Sequence, residues 1–97
     1  MLYDIQPYSF KIAKKLKLQL KSSEDDKHKI DIYDINGRYL TSIGALGFND
    51  YEIYLKNDGY KKAEKRRKLY FKRHLKDLKT KYSRGWYSWV ILWRGLS

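Results

Sequence analysis

The segment that decides the fold lies at residues 30–43, which read IDIYDINGRYLTSI. On both sides of Asn36-Gly37, the segment is rich in isoleucine, leucine and tyrosine, residues that favour β-strands. Asn-Gly favours a type I′ turn, because that turn needs a positive φ at both central residues. The segment therefore predicts a β-hairpin.

Apolar residues alternate with mainly basic ones upstream of the hairpin, from Phe10 to Leu20. The even positions are apolar except for Lys14, and most of the odd positions are lysines. This pattern predicts a strand with one buried and one basic face, followed by a polar loop at residues 22–27. Together with the hairpin, it predicts a three-stranded antiparallel meander over residues 9–43.

Two glycines follow the hairpin, and a short helix comes after them. We expect Gly44 and Gly47 to end the strand and form a loop over residues 44–48, and Asn49 or Asp50 to cap a helix that ends near residue 59. A glycine-rich loop before a helix can bind phosphate. This one lacks the Lys-Ser/Thr ending and the βαβ context of a nucleotide site, so a simple turn is favoured.

The positive charge is concentrated in the C-terminal part of the chain. Residues 1–60 hold nine basic and nine acidic residues, whereas residues 61–97 hold thirteen basic and two acidic ones, which accounts for the net charge of +11. A field this one-sided attracts a polyanion. Nucleic acid is the commonest such partner, and an acidic protein surface or anionic lipid comes next.

A long basic helix is predicted over residues 60–79. One side carries a packing stripe of mainly apolar and aromatic residues at spacings of three and four, and the remaining face is cationic. The stripe consists of Tyr60, Ala63, Arg67, Tyr70, Phe71, His74, Leu75 and Leu78. Its cations repel one another, and almost no acidic side chains offset this repulsion. We therefore expect this face to bind an anion rather than to be merely solvated. The candidate nucleic-acid-binding residues are Lys61, Lys62, Lys65, Arg66, Lys68, Lys72, Arg73, Lys76 and Lys79, with Arg84 beyond the helix.

The last segment is rich in tryptophan. Ser83 can cap a helix on which Trp86, Trp89 and Trp93 share one face, with Arg84 and Arg94 at its ends. We expect that face to cover the open side of the sheet, since it is too apolar to stay wet. The alternative is an aromatic platform on which bases stack.

The sequence gives little support for a metal site, an enzyme, a secreted protein or a membrane-spanning protein. There is no cysteine, and the two histidines are too few for a zinc site without acidic help, so we expect no metal and no cofactor. His74 lies beside Arg73 and one turn from Asp77, but no pattern supplies a second catalytic group. We therefore expect His74 to be packed and hydrogen-bonded to a carbonyl or a tyrosine, and we expect that the protein is not an enzyme. The first residues do not resemble a signal peptide, and the longest apolar run, residues 86–93, is too short to span a bilayer. The expected location is intracellular.

Three motifs occur in order along the chain: IGALGFNDY at residues 43–51, RRxxYxxRH at residues 66–74 and GWYSWxxLW at residues 85–93. Over about residues 34–93 this order resembles a family of small uncharacterised basic proteins encoded by large nucleocytoplasmic double-stranded DNA viruses of protists and algae. The chain has Ile43 where that family would have phenylalanine, and a shorter linker before the tryptophans. The resemblance implies a viral origin, in an infected host cell or inside the virion, and implies no established activity.

The sequence thus predicts one α+β domain over residues 1–97, with a helical, basic part at residues 49–97. Its expected function is non-enzymatic, sequence-independent binding of nucleic acid, DNA rather than RNA, in genome packaging or the virion. The alternative is a minor capsid or internal virion protein that uses the basic face on an acidic protein. Exposed aromatic residues among the cations would favour nucleic acid, whereas a large apolar patch or an unpaired sheet edge would favour assembly.

Overall fold

The computed structural model describes residues 2–97. The fold is α+β, as predicted: a three-stranded antiparallel sheet precedes a short helix, a long helix and a C-terminal helix. In chain order the elements are α1 (Pro7–Lys15), β1 (Leu18–Ser22), β2 (His28–Asp34), β3 (Tyr39–Ala45), α2 (Tyr51–Asp58), α3 (Tyr60–Leu78) and α4 (Arg84–Leu92). They fall into two compact units, Met1–Phe48 and Asn49–Ser97. That a single domain spans the chain stays a prediction.

The sheet is a meander with the strand order β1-β2-β3. Leu20 pairs with Ile32 across β1 and β2, and Ile30 pairs with Ile43 across β2 and β3. Ile30, Ile32 and Ile43 are buried, so the alternating isoleucines of the hairpin supply the core of this unit. The predicted antiparallel meander is confirmed, but it runs over residues 18–45 rather than 9–43.

The prediction of one strand over Phe10 to Leu20 is wrong in its first half. Residues 7–15 form α1, residues 16 and 17 form a turn, and only the last three residues of the predicted strand, 18–20, belong to β1. Pro7 begins the helix, where its fixed φ suits the first turn and its missing N–H costs nothing. Ser9, Ile12 and Ala13 are buried at helical spacing, whereas Phe10 is exposed. The small residues Ser9 and Ala13 belong to the packed face, and the two-residue period concealed this.

The hairpin is confirmed, but the type I′ turn is not. Gly37 has a φ of 85°, and Asn36 is not among the residues with positive φ. The carboxylate of Asp34 accepts hydrogen bonds of 2.9 Å from the backbone N–H groups of Asn36 and Arg38, and the Asp34 carbonyl accepts one from Gly37. Asp34 therefore organises a wider turn of residues 35–38, a common role for aspartate.

The prediction that Gly44 begins a loop is also wrong, because β3 continues to Ala45, with Gly44 at a φ of 76°. The caps of the two following short helices are confirmed. The side chain of Asp50 accepts from the N–H of Ile53 at the start of α2, and Ser83 accepts from the N–H of Trp86 at the start of α4. Gly59, with a φ of 88°, separates α2 from α3.

Only part of the predicted packing stripe of α3 is packed. Ala63 and Leu78 are buried, but Tyr60, Phe71 and Leu75 are exposed. These three lie toward one flank of the stripe, so α3 buries a narrower face than the spacing predicted. The helix ends at Leu78 rather than at Lys79, which is its C-cap. Within residues 2–97, no helix combines the length and the apolar character that crossing a membrane requires.

Candidate nucleic-acid interface

The candidate interface is the cationic face of α3. Nine of the ten candidate binding residues are exposed, and the tenth, Arg66, is half-buried. The face lies opposite buried Ala63 and Leu78, and five of its lysines follow one line along the helix at spacings of three and four. A helix of nineteen residues is about 28 Å long. The lysines of this line are Lys61, Lys65, Lys68, Lys72 and Lys76.

The two carboxylates of α3 do not neutralise this face. Glu64 accepts a hydrogen bond of 2.7 Å from the Tyr51 hydroxyl on α2, which directs it toward the packed side. Asp77 is exposed, and its carboxylate forms no ion pair within the described residues. In the part of the chain that the structure describes, no ion pair joins a lysine of α3 to a carboxylate. The cations therefore present their full charge to a ligand.

Arg66 differs from the other candidates. Its guanidinium lies 5.5 Å from the centre of the Tyr54 ring on α2, a cation–π geometry. Its Nε is buried and has no hydrogen-bond partner within residues 2–97. Arg66 thus contributes both to the packing of α2 on α3 and to the charge of the interface.

Arg67 lies on the packed side, as predicted, and holds α4. Its Nε donates to the carbonyl of Trp93 and a terminal nitrogen donates to the carbonyl of Arg94, both at 2.9 Å. The same guanidinium lies 5.0 Å from the Trp89 ring. The first bond satisfies the carbonyl of the C-cap residue of α4, where no intrahelical partner exists, and the carbonyl of Arg94 also accepts from the N–H of Ser97.

The aromatic side chains of α4 pack against α3. Tyr70 stacks on Trp93, with ring centroids 4.5 Å apart and planes at 16°, and on Trp89 at 6.0 Å and 5°. The Tyr70 hydroxyl donates to Ser88, and burial raises the pKa of Tyr70 above its usual value. Trp86 and Trp93 are buried and Trp89 is half-buried. Within residues 49–97 the tryptophan face is therefore a packing surface.

Arg94 is engaged in the structure of its own unit. It donates hydrogen bonds of 2.6 and 2.8 Å to the two oxygens of Glu52, and its guanidinium lies 5.0 Å from the Tyr51 ring. The bidentate pair makes Arg94 a structural residue, although its position at the end of α4 suggested a contribution to the basic surface.

His74 makes a ring contact instead of the expected hydrogen bond. Its ring centroid lies 4.3 Å from that of Tyr70, and no hydrogen bond from its side chain occurs within residues 2–97. No group of three or more histidine and acidic side chains in the described part could hold a metal ion. That the protein is not an enzyme stays a prediction.

Several exposed aromatic rings lie beside the cations. Tyr60 begins α3, Phe71 lies between Leu75 and Lys68 on its flank, and Tyr82 follows its C-terminus. Sequence reasoning missed Tyr82, which has a φ of 68°. Its position between Lys81 and Arg84 was the available signal.

Comparisons with known proteins identify no relative: no family model, curated protein or solved structure significantly matches the chain.

Proposed function

We propose that this protein binds nucleic acid, preferably DNA, without sequence specificity through the cationic face of α3. The observation that carries the proposal is the line of exposed lysines that no carboxylate neutralises. The helix is about 28 Å long, so its lysines can contact several phosphates along a nucleic-acid backbone. Each phosphate that a lysine neutralises releases condensed counterions, which favours binding.

The chemistry of the face supports binding without sequence readout. Lysine is a flexible point charge, and seven of the ten candidates are lysines. Base discrimination relies mainly on bidentate donors such as arginine and on asparagine or glutamine, and α3 contains no asparagine or glutamine. Contacts to phosphates are therefore the expected mode. On this proposal, together with the viral resemblance, the protein acts in genome packaging or inside the virion of a large DNA virus.

A structural role in the virion is the second candidate, and one observation favours it. The β2–β3 hairpin exposes Ile35, Tyr39 and Leu40, an apolar group of the kind that protein–protein contacts use. The exposed aromatic rings beside the cations favour nucleic acid as the ligand of α3 itself. A protein could combine both roles, with the hairpin used for assembly and α3 for the genome.

The proposal is tested with two variants of equal charge. The first replaces Lys65, Lys68, Lys72 and Lys76 by glutamine, and the matched control replaces Lys11, Lys14, Lys15 and Lys21, which are exposed lysines of the N-terminal unit. Both variants lose four charges. Affinity for a mixed-sequence duplex is measured by fluorescence anisotropy at several salt concentrations.

We expect the α3 variant to lose most of its affinity and to flatten the slope of log affinity against log salt by about 3.6, since each of the four lost phosphate contacts removes about 0.9. The control variant should keep most of its affinity and most of its salt dependence. Equal losses in the two variants would mean that net charge, and not this face, determines binding. Binding of the parent to polyglutamate but not to duplex would favour the acidic-protein alternative.

A further inference from the structure

Tyr82 has a backbone conformation that tyrosine seldom adopts. The N–H of Ser83 donates to the carbonyl of Thr80 at 3.1 Å, which closes a tight turn with Tyr82 as its third residue. The φ of 68° at this position suits glycine or asparagine and is strained for a residue with a bulky side chain. A tyrosine here is therefore unfavourable for the backbone, and the benefit must come from its ring.

The ring of Tyr82 is held in place yet exposed. It packs against Trp86 in a T-shaped arrangement, with centroids 5.3 Å apart and planes at 66°, and the centroid of the Tyr87 ring lies 6.4 Å away. Even so, 61% of the residue is exposed. An aromatic ring that is packed on one side and open to solvent on another is preorganised for stacking, because little rotamer freedom remains to be lost on binding.

One cation lies beside this ring in space, and two more are close to it in the sequence. The Nζ of Lys81 lies 5.1 Å from the centre of the Tyr82 ring. Lys79 and Arg84 are exposed within three residues of it. A ring among cations matches the two parts of a nucleotide, a flat base and an anionic phosphate, and proteins that bind single strands combine the same two features.

We propose that Tyr82 is a stacking site for an unpaired base, with Lys79 and Lys81 on the adjoining phosphates, so that the protein prefers single-stranded nucleic acid to duplex. This inference rests on the proposed binding function and adds the class of ligand. In a duplex the bases are stacked on one another and only the backbone meets the lysines. The lysines of α3 contact either form, whereas Tyr82 can engage only an unpaired base.

The test measures affinity at one salt concentration for ten-nucleotide oligothymidylate, for oligouridylate of the same length and for a ten-base-pair duplex. Tyr82→Asn removes the ring and relieves the backbone strain, so its melting temperature should stay within a few degrees of the parent's. Tyr82→Phe keeps the ring. Phe48→Asn is the matched control, since Phe48 is 72% exposed and lies in the loop between β3 and α2, outside the cationic face.

We expect Tyr82→Asn to weaken single-strand binding by about 5- to 150-fold, the range for loss of one stacked base, and duplex binding by less than about twofold. Tyr82→Phe and Phe48→Asn should stay within about twofold of the parent on every ligand. The oligothymidylate and oligouridylate arms show whether the base comes from DNA or RNA. Equal loss on single strand and duplex, no loss on either, or an equal effect of Phe48→Asn would overturn the inference.

A spectroscopic measurement reports stacking directly. Oligothymidylate carrying one 2-aminopurine should lose emission when the parent or Tyr82→Phe binds it, and should keep emission with Tyr82→Asn at saturation. Quenching that persists in Tyr82→Asn would place the stacking elsewhere. If the parent binds neither single strand nor duplex, the proposed function itself fails, and this result is distinct from binding that is independent of Tyr82.

Discussion

The Nε of Arg67 donates a hydrogen bond of 2.9 Å to the backbone carbonyl of Trp93. Its neighbour Lys68 is exposed on the cationic face. Adjacent residues on a helix point about 100° apart, so one step along α3 separates a residue that holds α4 from one that is free to meet a ligand. The same chemical class of side chain therefore has a structural role at one position and a proposed binding role at the next.

Arg67→Ala and Lys68→Ala should separate these roles. Arg67→Ala removes two charge-assisted hydrogen bonds to carbonyls and the contact with Trp89, and should lower the free energy of unfolding by about 2–3 kcal/mol. Lys68→Ala should change it by less than about 0.5 kcal/mol. Urea denaturation followed by tryptophan fluorescence measures both.

Nucleic-acid affinity should show the reverse order. Lys68→Ala should weaken binding to duplex, whereas Arg67→Ala, assayed where it is folded, should bind nearly as well as the parent. Similar destabilisation by the two substitutions would contradict the division of the helix into a packed and a binding side.

The sequence predicted the structure well where a local signal marked a single element. The isoleucines around Asn36-Gly37 predicted the hairpin and its core, and Ser83 predicted the start of α4, since each signal is local. The α1 segment was mispredicted because the alternation of apolar residues outweighed its break at Lys14, although Ser9, Ile12 and Ala13 also fit a helical period. Burial decided between them, and burial depends on the rest of the fold.

The candidate interface was predictable in part. The charge pattern selected ten cations, nine of which are exposed, because an amphipathic helix places like residues on one face. The partial burial of Arg66 over Tyr54 could not be predicted, since it depends on how α2 packs against α3. The conformation of Tyr82 was equally hidden, because no turn residue such as glycine marks the position.

Gly85→Ala should destabilise the helical unit although alanine is the better helix former. A Cβ at residue 85 would lie 2.7 Å from the Cβ of Asp77 on α3, an atom that cannot move without the backbone. Helix propensity favours alanine by about 1 kcal/mol, and overpacking of this kind costs about 1–3 kcal/mol. We expect a lower melting temperature by calorimetry. A higher one would mean that α4 shifts away from α3 at little cost.

Trp89→Ala should be among the most destabilising substitutions. The indole contacts Tyr70, Phe71 and the guanidinium of Arg67. Its loss should cost about 3 kcal/mol, at the lower end for tryptophan because the residue is half-buried. Denaturant titration gives the value. A variant that keeps its stability but loses nucleic-acid binding would instead make Trp89 a contact residue.

The pH dependence of stability should reveal Tyr51. Burial, and then the hydrogen bond that Tyr51 donates to the Glu64 carboxylate, raise the pKa of Tyr51 from its ordinary value of 10.0 to about 12. The folded protein therefore holds this proton more tightly than the unfolded chain does. Below pH 10 both states are protonated and the contribution to stability is complete. Between pH 10 and 12 the unfolded chain loses the proton first, so the free energy of unfolding falls by up to about 1.4 kcal/mol per pH unit.

Tyr51→Phe removes this contribution together with the hydroxyl. At pH 7 the variant should be less stable than the parent by about 1 kcal/mol, because Glu64 loses its partner. Above pH 10 the parent loses stability through Tyr51 and the variant does not, so the difference should shrink and then change sign before pH 12. Glu64→Gln should give an intermediate slope, since it removes the carboxylate and leaves the burial of the phenol. Denaturant midpoints of the three proteins, measured at intervals from pH 7 to 12, make the comparison. A difference in stability between the parent and Tyr51→Phe that stays constant over this range would show that the buried hydroxyl of Tyr51 is not linked to folding.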